Sequence, residues 1–367
     1  MTTSAREAPT EEGCGPRETM QALSTRSVDL IREIVREERL SCPPGFQGQL
    51  CVALGSAGKK PRYMEVDEGT EVWEPSRALR ELSYLRGSEA EPLVSQVLWR
   101  PEDGIGDCAT FTRELADVCR ERYGVKFRFG ADVRELQLDD QEASGRLIAR
   151  VQCADGRRFY GSFYVLANGA AAGGLAMEIA DKHCARPSSV YLPVCGIRGY
   201  SLTVPATSIP TEHLEALRNV PCVSFEPSKL VLSAYPSAAS RDASSVASLR
   251  FSGIAELSAE GRNGGGDHER CAQALRRKAF AVSSPPLQEA IAAAQVVSGL
   301  RPQSPDDLPI VSGTRCPNLF VNVGHGGYGW RLSCASAELL AELVDGPALA
   351  PAAGGPQAAE AASAATA

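Results

Sequence analysis

No apolar run in this sequence approaches the ~20 residues that a bilayer-spanning helix needs. Basic charge is not in excess either: 38 Lys and Arg stand against 45 Asp and Glu, for a net charge of −7. A general nucleic-acid binder needs a basic footprint to displace counterions, so that class is set aside. Histidine is scarce, with four in 367 residues, which speaks against a multi-histidine metal centre. The phosphate-loop pattern G-x-x-x-x-G-K-[ST], the zinc helix pattern H-E-x-x-H and the nucleophile elbow G-x-S-x-G are all absent. Twelve cysteines are scattered and never form C-x-x-C, and no N-x-[ST] acceptor occurs. The opening MTTSAREAPTEEGCGPRE holds acidic residues and no apolar core, unlike an export signal. Reduced thiols packed as small hydrophobes, and a cytoplasmic location, are the corresponding expectations.

What is present suits a globular enzyme-sized chain. Apolar residues make up 43% and charged residues 23%, ordinary globular usage. A chain of this length buries about three quarters of its unfolded surface and needs no disulfide or metal to fold. The polar stretch 1–18 reads as disordered, as does the Ala-rich tail 347–367. Leu23, Val28, Ile31, Ile34 and Val35 recur at helical spacing and predict a helix from Met20 to about Leu40. A short strand is expected at Gln49–Ala53 and a helix near Pro75–Leu85. Asp107 can cap a helix bearing Phe111, Leu115, Val118 and Cys119 on one face, ended by Gly124. Strands are predicted at 125–129, 133–138, 146–153 and 159–167, with Asp155-Gly156 turning between the last two.

From Val194 to about Val297 the pattern changes. Strands at 199–204, 222–225, 229–234 and 246–254 follow one another and predict an antiparallel sheet with one covered face. A loop at 262–267 and a helix from His268 come next. Buried strands are expected at 308–311 and 319–323, then an amphipathic helix from Trp330 to Val344. The chain divides into 19–93, 94–185, 186–297 and 298–346.

Three constellations could carry chemistry. In Asn322-Val323-Gly324-His325-Gly326-Gly327-Tyr328-Gly329-Trp330, four glycines join an apolar strand to a helix. Such a turn lets backbone approach a flat ligand, and the helix start favours negative charge. It also suits a bare structural turn. Gly324, Gly326 and Gly329 match G-x-G-x-x-G, but no second strand with an acidic residue follows, so a complete dinucleotide unit there is rejected. Gly299-Leu300-Arg301-Pro302 places a guanidinium before a rigid turn, suited to a carboxylate ligand or to pairing with Asp306 or Asp307. Tyr164 to Gly169 is a hydrophobic strand ending in Asn-Gly, a frequent ligand edge in α/β sheets and also an ordinary strand end. His268 and Cys271 lack further metal ligands nearby, and His325 reads as a loop-packing residue before a catalytic base.

These residues resemble the FAD-dependent D-amino-acid oxidase and dehydrogenase family, nearest to bacterial-type D-amino-acid dehydrogenases. Gly106-Asp107-Cys108 with Phe111-Thr112, Gly124 to Phe129, Gly199 to Pro205, Gly253 to Glu256, Gly299 to Pro302 and Gly324 to Gly329 occur in the family's order. The resemblance runs from about Val94 to Gly346, more weakly from Met20. It implies a mixed α/β fold in which a Rossmann-like FAD domain is interleaved with an antiparallel substrate sheet. It makes 19–93 a helical and substrate-domain segment, 94–185 the first part of the cofactor domain, 186–297 the substrate sheet, and 298–346 the second part of the cofactor domain. It assigns Arg301 to the substrate carboxylate, and Gly326, Gly327, Tyr328 and Gly329 to the flavin. Val133 and Gly169 match nucleotide-side contacts, and Tyr200 is a substrate-contact candidate. The implied reaction oxidises a D-amino acid to a 2-oxo acid and ammonia, with hydride passing from Cα to flavin N5 and no catalytic side chain or metal required. Sarcosine, glycine or proline oxidation is the neighbouring alternative, and the electron acceptor is left open.

The family begins with a βαβ unit whose G-x-G-x-x-G holds the FAD pyrophosphate. Here Gly13-Cys14-Gly15-Pro16 has no strand before it, and Gly55-Ser56-Ala57-Gly58 has the wrong spacing. The expectation is therefore an incomplete FAD domain, with a partner chain completing it or a non-catalytic subunit as alternatives.

Overall fold

The computed structural model describes residues 16–41, 47–55, 64, 66, 68–139, 147–181, 191–236, 245–258 and 267–346. The expected loop at 262–266, the tail and residues 1–15 lie outside these. The chain runs α1 (Pro16–Glu37), β1 (Gln47–Leu54), β2 (Glu71–Trp73), α2 (Pro75–Glu81), β3 (Val94–Gly104), α3 (Cys108–Arg122), β4 (Val133–Leu138), β5 (Ile148–Cys153), β6 (Arg158–Phe159), β7 (Tyr164–Leu166) and α4 (Ala172–Asp181). It continues β8 (Cys195–Pro205), α5 (Thr211–Asn219), β9 (Cys222–Glu226), β10 (Leu230–Pro236), β11 (Val246–Ser258), α6 (His268–Ala281), α7 (Pro285–Ala293), β12 (Val296–Gln303), β13 (Ile310–Gly313), β14 (Leu319–Val323) and α8 (Gly329–Asp345).

Three sheets organise this mixed α/β fold. The largest has the order β12-β8-β11-β10-β9-β1-β3-β2, antiparallel except where β1 runs parallel to β9. Strand alternation explains its two faces. Along β8, Tyr200, Leu202 and Val204 are buried in the main core, together with Phe225, Leu232, Phe251 and the helix residues Leu217, Leu275, Leu287 and Ile291. The intervening residues Ile197, Gly199, Ser201 and Thr203 lie on the opposite face. A second sheet, β13-β14-β7, pairs β14 with β7 in parallel, and a third orders β4-β5-β6. A smaller core of Leu136, Ile148, Leu166, Ala172, Leu319, Val321 and Val323 joins the last two.

Several local expectations match. Asp107 caps α3 by accepting from the N–H groups of Ala109 and Thr110 at 3.1 Å each, and Gly124 takes φ +67° just beyond the helix. Others are corrected. Residues 125–129 form no strand: Val125 and Phe129 are 44% and 79% exposed. An apolar pattern becomes a strand only where a neighbour pairs with it, and no described strand does. Residues 16–18 are already helical. Gly299 to Pro302 is not the approach to a turn but the body of β12. Pro302 is tolerated there because β12 is an edge strand. Helices α5 and α7 stand where the sequence pattern assigns none.

Candidate functional site

The carboxyl end of β12 is stitched to the glycine turn by an isolated antiparallel bridge between Gln303 and His325. That bridge brings Arg301 and the turn together. Arg301 lies opposite Ile197 across the β12–β8 pair, on the face turned away from the main core. Its guanidinium rests on Gly199, where an added Cβ would come within 2.8 Å of the Arg301 Nε and Cζ. On the other side, Arg301 Nη1 is 4.0 Å from where a Cβ of Gly327 would stand. The head group is half-buried and has no hydrogen bond or ion pair to a described residue. The aspartates that could have taken it are otherwise engaged: Asp307 accepts from the Gln303 side chain and Asp306 from the Leu308 N–H.

The turn itself is set by close approach. Gly324 and Gly326 take φ of +82° and +55°, and a Cβ on Gly326 would meet Gln303 Oε1 at 2.6 Å. A short 3₁₀ turn, Gly326–Tyr328, then feeds α8, whose start has no side-chain cap. Its first N–H groups are thus available to a ligand. Gly326 and Gly329 line a cavity of about 280 Å³ together with Gly169, Pro302, Asn322 and Ser336. Gly169 has φ +64° and begins the helical turn after β7. Asn322 Oδ1 is buried with no hydrogen-bond partner and belongs to a residue of the cavity wall. A buried carbonyl left unpaired is costly, so it points to a donor from a ligand.

His325 is a packing residue of this turn: its Nε2 is 2.9 Å from the Ser336 hydroxyl, and burial pushes its pKa down. Trp330, one residue into α8, packs edge-on against Phe111 of α3 at 5.1 Å and covers Gly106, where a Cβ would sit 2.7 Å from the indole.

The sequence-derived residues therefore divide. Arg301, Gly326, Gly327, Gly329 and Gly169 gather at one place. Tyr328 is beside them but 46% exposed, with the Arg331 guanidinium 5.6 Å from its ring. Val133 begins β4 in another sheet and is not on the cavity wall. Tyr200 is a correction: period-two alternation puts it on the face opposite Arg301, 1% exposed, donating to Glu256 at 2.9 Å. Its hydroxyl pKa is driven up by burial first and by the Glu256 hydrogen bond next. Gln303 was not named from sequence, and Pro302 and Asn322 were named only as members of their motifs, with no role of their own. Asn322 carried a signal, a polar residue inside an otherwise apolar strand.

The residues present fit a flat cofactor rich in hydrogen-bonding edges. Glycine at 326 and 329, the uncapped α8 start and the unpaired Asn322 carbonyl supply backbone approach, N–H donors and an acceptor. They fit the ring end of FAD.

Comparison with known proteins agrees. Residues 2–343 match the family described as FAD dependent oxidoreductase. The D-amino acid dehydrogenase of Chromohalobacter salexigens is 32% identical over 271 residues, 71% of this chain and 56% of that protein. That of Methylobacterium radiotolerans is 33% identical over 269 residues, 71% and 55%. The chain thus spans little more than half the length of these curated relatives. Among solved structures, glycine oxidase from Geobacillus kaustophilus aligns with TM-score 0.65 at 17% identity, covering 91% of this chain and 80% of that one. L-proline dehydrogenase from P. horikoshii aligns with TM-score 0.63 at 16% identity, covering 88% and 78%. A match of this extent makes the chain a member of the FAD dependent oxidoreductase family, whose cofactor is FAD.

Proposed function

We propose that this chain binds the carboxylate of a D-amino acid on Arg301, beside FAD, and oxidises it to a 2-oxo acid and ammonia. The observation that carries this reading is the half-buried guanidinium held between Gly199 and the glycine turn, with no partner among the described residues. A buried cation without a counter-ion is costly unless a ligand supplies one, and a fork of N–H donors suits a carboxylate. The D configuration rests on the two relatives named above.

FAD, when bound, supplies the two-electron acceptor. Gly326, Gly329 and Asn322 would hold its ring end. The protein's own contribution is orientation and field. Arg301 fixes one end of the substrate, Gly199 leaves the room for that grip, and the positive end of the α8 dipole stabilises negative charge in the cavity. His325 is tied to Ser336 and is not needed as a base.

Arg301→Gln is expected to raise KM for D-alanine by about 30-fold or more, a loss of about 2–5 kcal/mol, while flavin content stays unchanged. An unaltered KM in a folded, flavin-loaded variant would defeat the reading. A turnover panel of D-alanine, sarcosine, glycine and proline, with oxygen or a quinone as acceptor, separates D-amino-acid oxidation from the sarcosine, glycine and proline alternatives and identifies the acceptor. One observation favours a second reading, a subunit completed by a partner chain: β7 pairs with β14 on one side, and no described strand pairs with its other edge. Absence of flavin absorbance near about 450 nm after adding FAD, restored by a co-purified partner, would support it.

A further inference from the structure

One side chain backs the glycine turn. Gln303 is the last residue of β12, and its backbone bridges to His325. Its side chain lies against the next residue of the turn. A Cβ placed on Gly326 would meet Gln303 Oε1 at 2.6 Å, Cδ at 3.1 Å and Nε2 at 3.2 Å. The three amide atoms stand at similar distances, so the flat of the amide, not its tip, meets the glycine. Two positions back, on the same face of β12, Arg301 stands against Gly327, the following glycine. Alternate residues of one strand thus seat consecutive glycines of the turn.

The amide is pinned. Its Nε2 donates to the Ser304 carbonyl at 3.2 Å and to Asp307 Oδ1, which uses both of its hydrogens. With the nitrogen held, the oxygen stays on Gly326. Asp307 provides this anchor at a φ of +64°, in the left-handed region where glycine is the relaxed choice. Aspartate visits that region more readily than most side chains, yet at a cost. Strain retained at one residue marks a constraint imposed by the structure around it. Here the constraint is the carboxylate that holds Gln303. Asp306 has a separate task, accepting from the Leu308 N–H at 3.2 Å.

We infer that Gln303, locked by Asp307, is a positioning residue for FAD, fixing the direction in which Gly326 and the α8 start face the cavity. This rests on that cavity as the seat of the flavin ring, and not on the carboxylate grip of Arg301. Gly326 lines the cavity of about 280 Å³ and Gln303 does not, so the amide supports the wall from behind. The α8 start has no side-chain cap, so the turn before it sets where its free N–H groups point. Donors held in place before a ligand arrives need no ordering when it binds.

The test titrates the full chain, with any partner that FAD uptake requires, against FAD by flavin fluorescence. The unfolding temperature of the flavin-free protein is measured beside it. Asp307→Gly is the informative variant, since it relieves the left-handed φ and removes the carboxylate together. It is expected to weaken FAD at least about 10-fold, the scale of one hydrogen bond to a charged group, without lowering the unfolding temperature. Asp307→Asn keeps an acceptor and tolerates the same φ, and should stay within about threefold of wild type. Gln303→Met keeps the length and loses the amide; it should match Asp307→Gly, and the double variant should lose no more than either alone. If Asp307→Gly binds FAD as wild type does, or weakens it only in step with a fall in unfolding temperature, the pair is a structural contact and its positioning role is overturned. If wild type takes up no FAD under either condition, the flavin seat itself fails, and the role of Gln303 with it.

Discussion

The two sides of this molecule are built to different standards of completeness. The eight-stranded sheet has a continuous core with buried Trp73, Tyr84, Phe225 and Phe251, covered by α5, α6 and α7. The smaller core beneath β14 and β4 contains Leu, Ile, Val, Ala and Cys, and Phe320 of β14 is buried outside it against Phe163. Its parallel pair ends at β7, where Val165 is 43% exposed. Parallel strands are usually covered on both faces. Beside it, Leu30, Ile34, Phe111, Leu115 and Trp330 line an apolar cavity of about 580 Å³ between α1, α3 and α8. The side of the large sheet is therefore self-sufficient, whereas the side of the two small sheets leaves apolar surface and a strand edge without a partner among the described residues. Arg301 stands at the seam, supported by the sturdier half and aimed at the other.

The largest expected effect tests that inequality. Phe251→Ala, in the main core, should cost about 3–5 kcal/mol, and Leu319→Ala, in the smaller one, about 2–5 kcal/mol. If the halves differ as described, urea unfolding shows two transitions. Phe251→Ala then moves the later one and Leu319→Ala the earlier. A single shared transition displaced by both substitutions would break the comparison.

How much of this was legible follows from the range over which each signal acts. The Asp107 cap, the α8 stripe and the hairpin at Gly156 depend on residues within one turn, and sequence pattern finds them. Residues 125–129 look like a strand because their alternation is real, yet pairing is decided by a neighbour that the pattern cannot see. The strand β12 was obscured by Gly299 and Pro302, both poor strand formers, and only its edge position makes them acceptable. Arg301 was legible as a residue of interest. Its seat was not, because contact with Gly199 spans about a hundred residues of sequence and depends on the register of β12 against β8. Tyr200 was misjudged by one place: its neighbour Gly199 faces the site, and a single step along a strand reverses the face.

A finer test concerns the joint between the two small sheets. Asn318 accepts from Ile148 N–H at 2.9 Å and donates to Ile148 C=O at 2.8 Å, while its own carbonyl takes the Tyr164 N–H at 2.8 Å. Asn318→Ala strands two buried backbone groups, at about 1–3 kcal/mol each. The loss should appear in the earlier unfolding transition alone. Equal displacement of both transitions would show that this joint also braces the large sheet.

The smallest effect is a pH dependence that reports each half separately. His213 of α5 sits between Ser83 and Ser284, at 2.9 and 2.8 Å, and burial is the main cause that lowers its pKa. Because the Ser83 hydroxyl donates to the Glu212 carbonyl, Nδ1–H of neutral His213 donates to Ser83 and Nε2 accepts from Ser284. His325 belongs to the other half, and burial lowers its pKa as well. For both, the unfolded chain takes up a proton near the ordinary value of 6.5 before the folded one does. Their contribution is thus complete above that pH and is lost as pH falls towards the folded-state values, with a slope of at most ~1.4 kcal/mol per pH unit for each proton. Between pH 7.5 and 5.5 (roughly above the carboxylate range) His213→Gln should flatten only the later transition, and His325→Gln only the earlier. If either variant flattens both, the two cores are thermodynamically one, and the incompleteness of the small-sheet side is a matter of shape and not of stability.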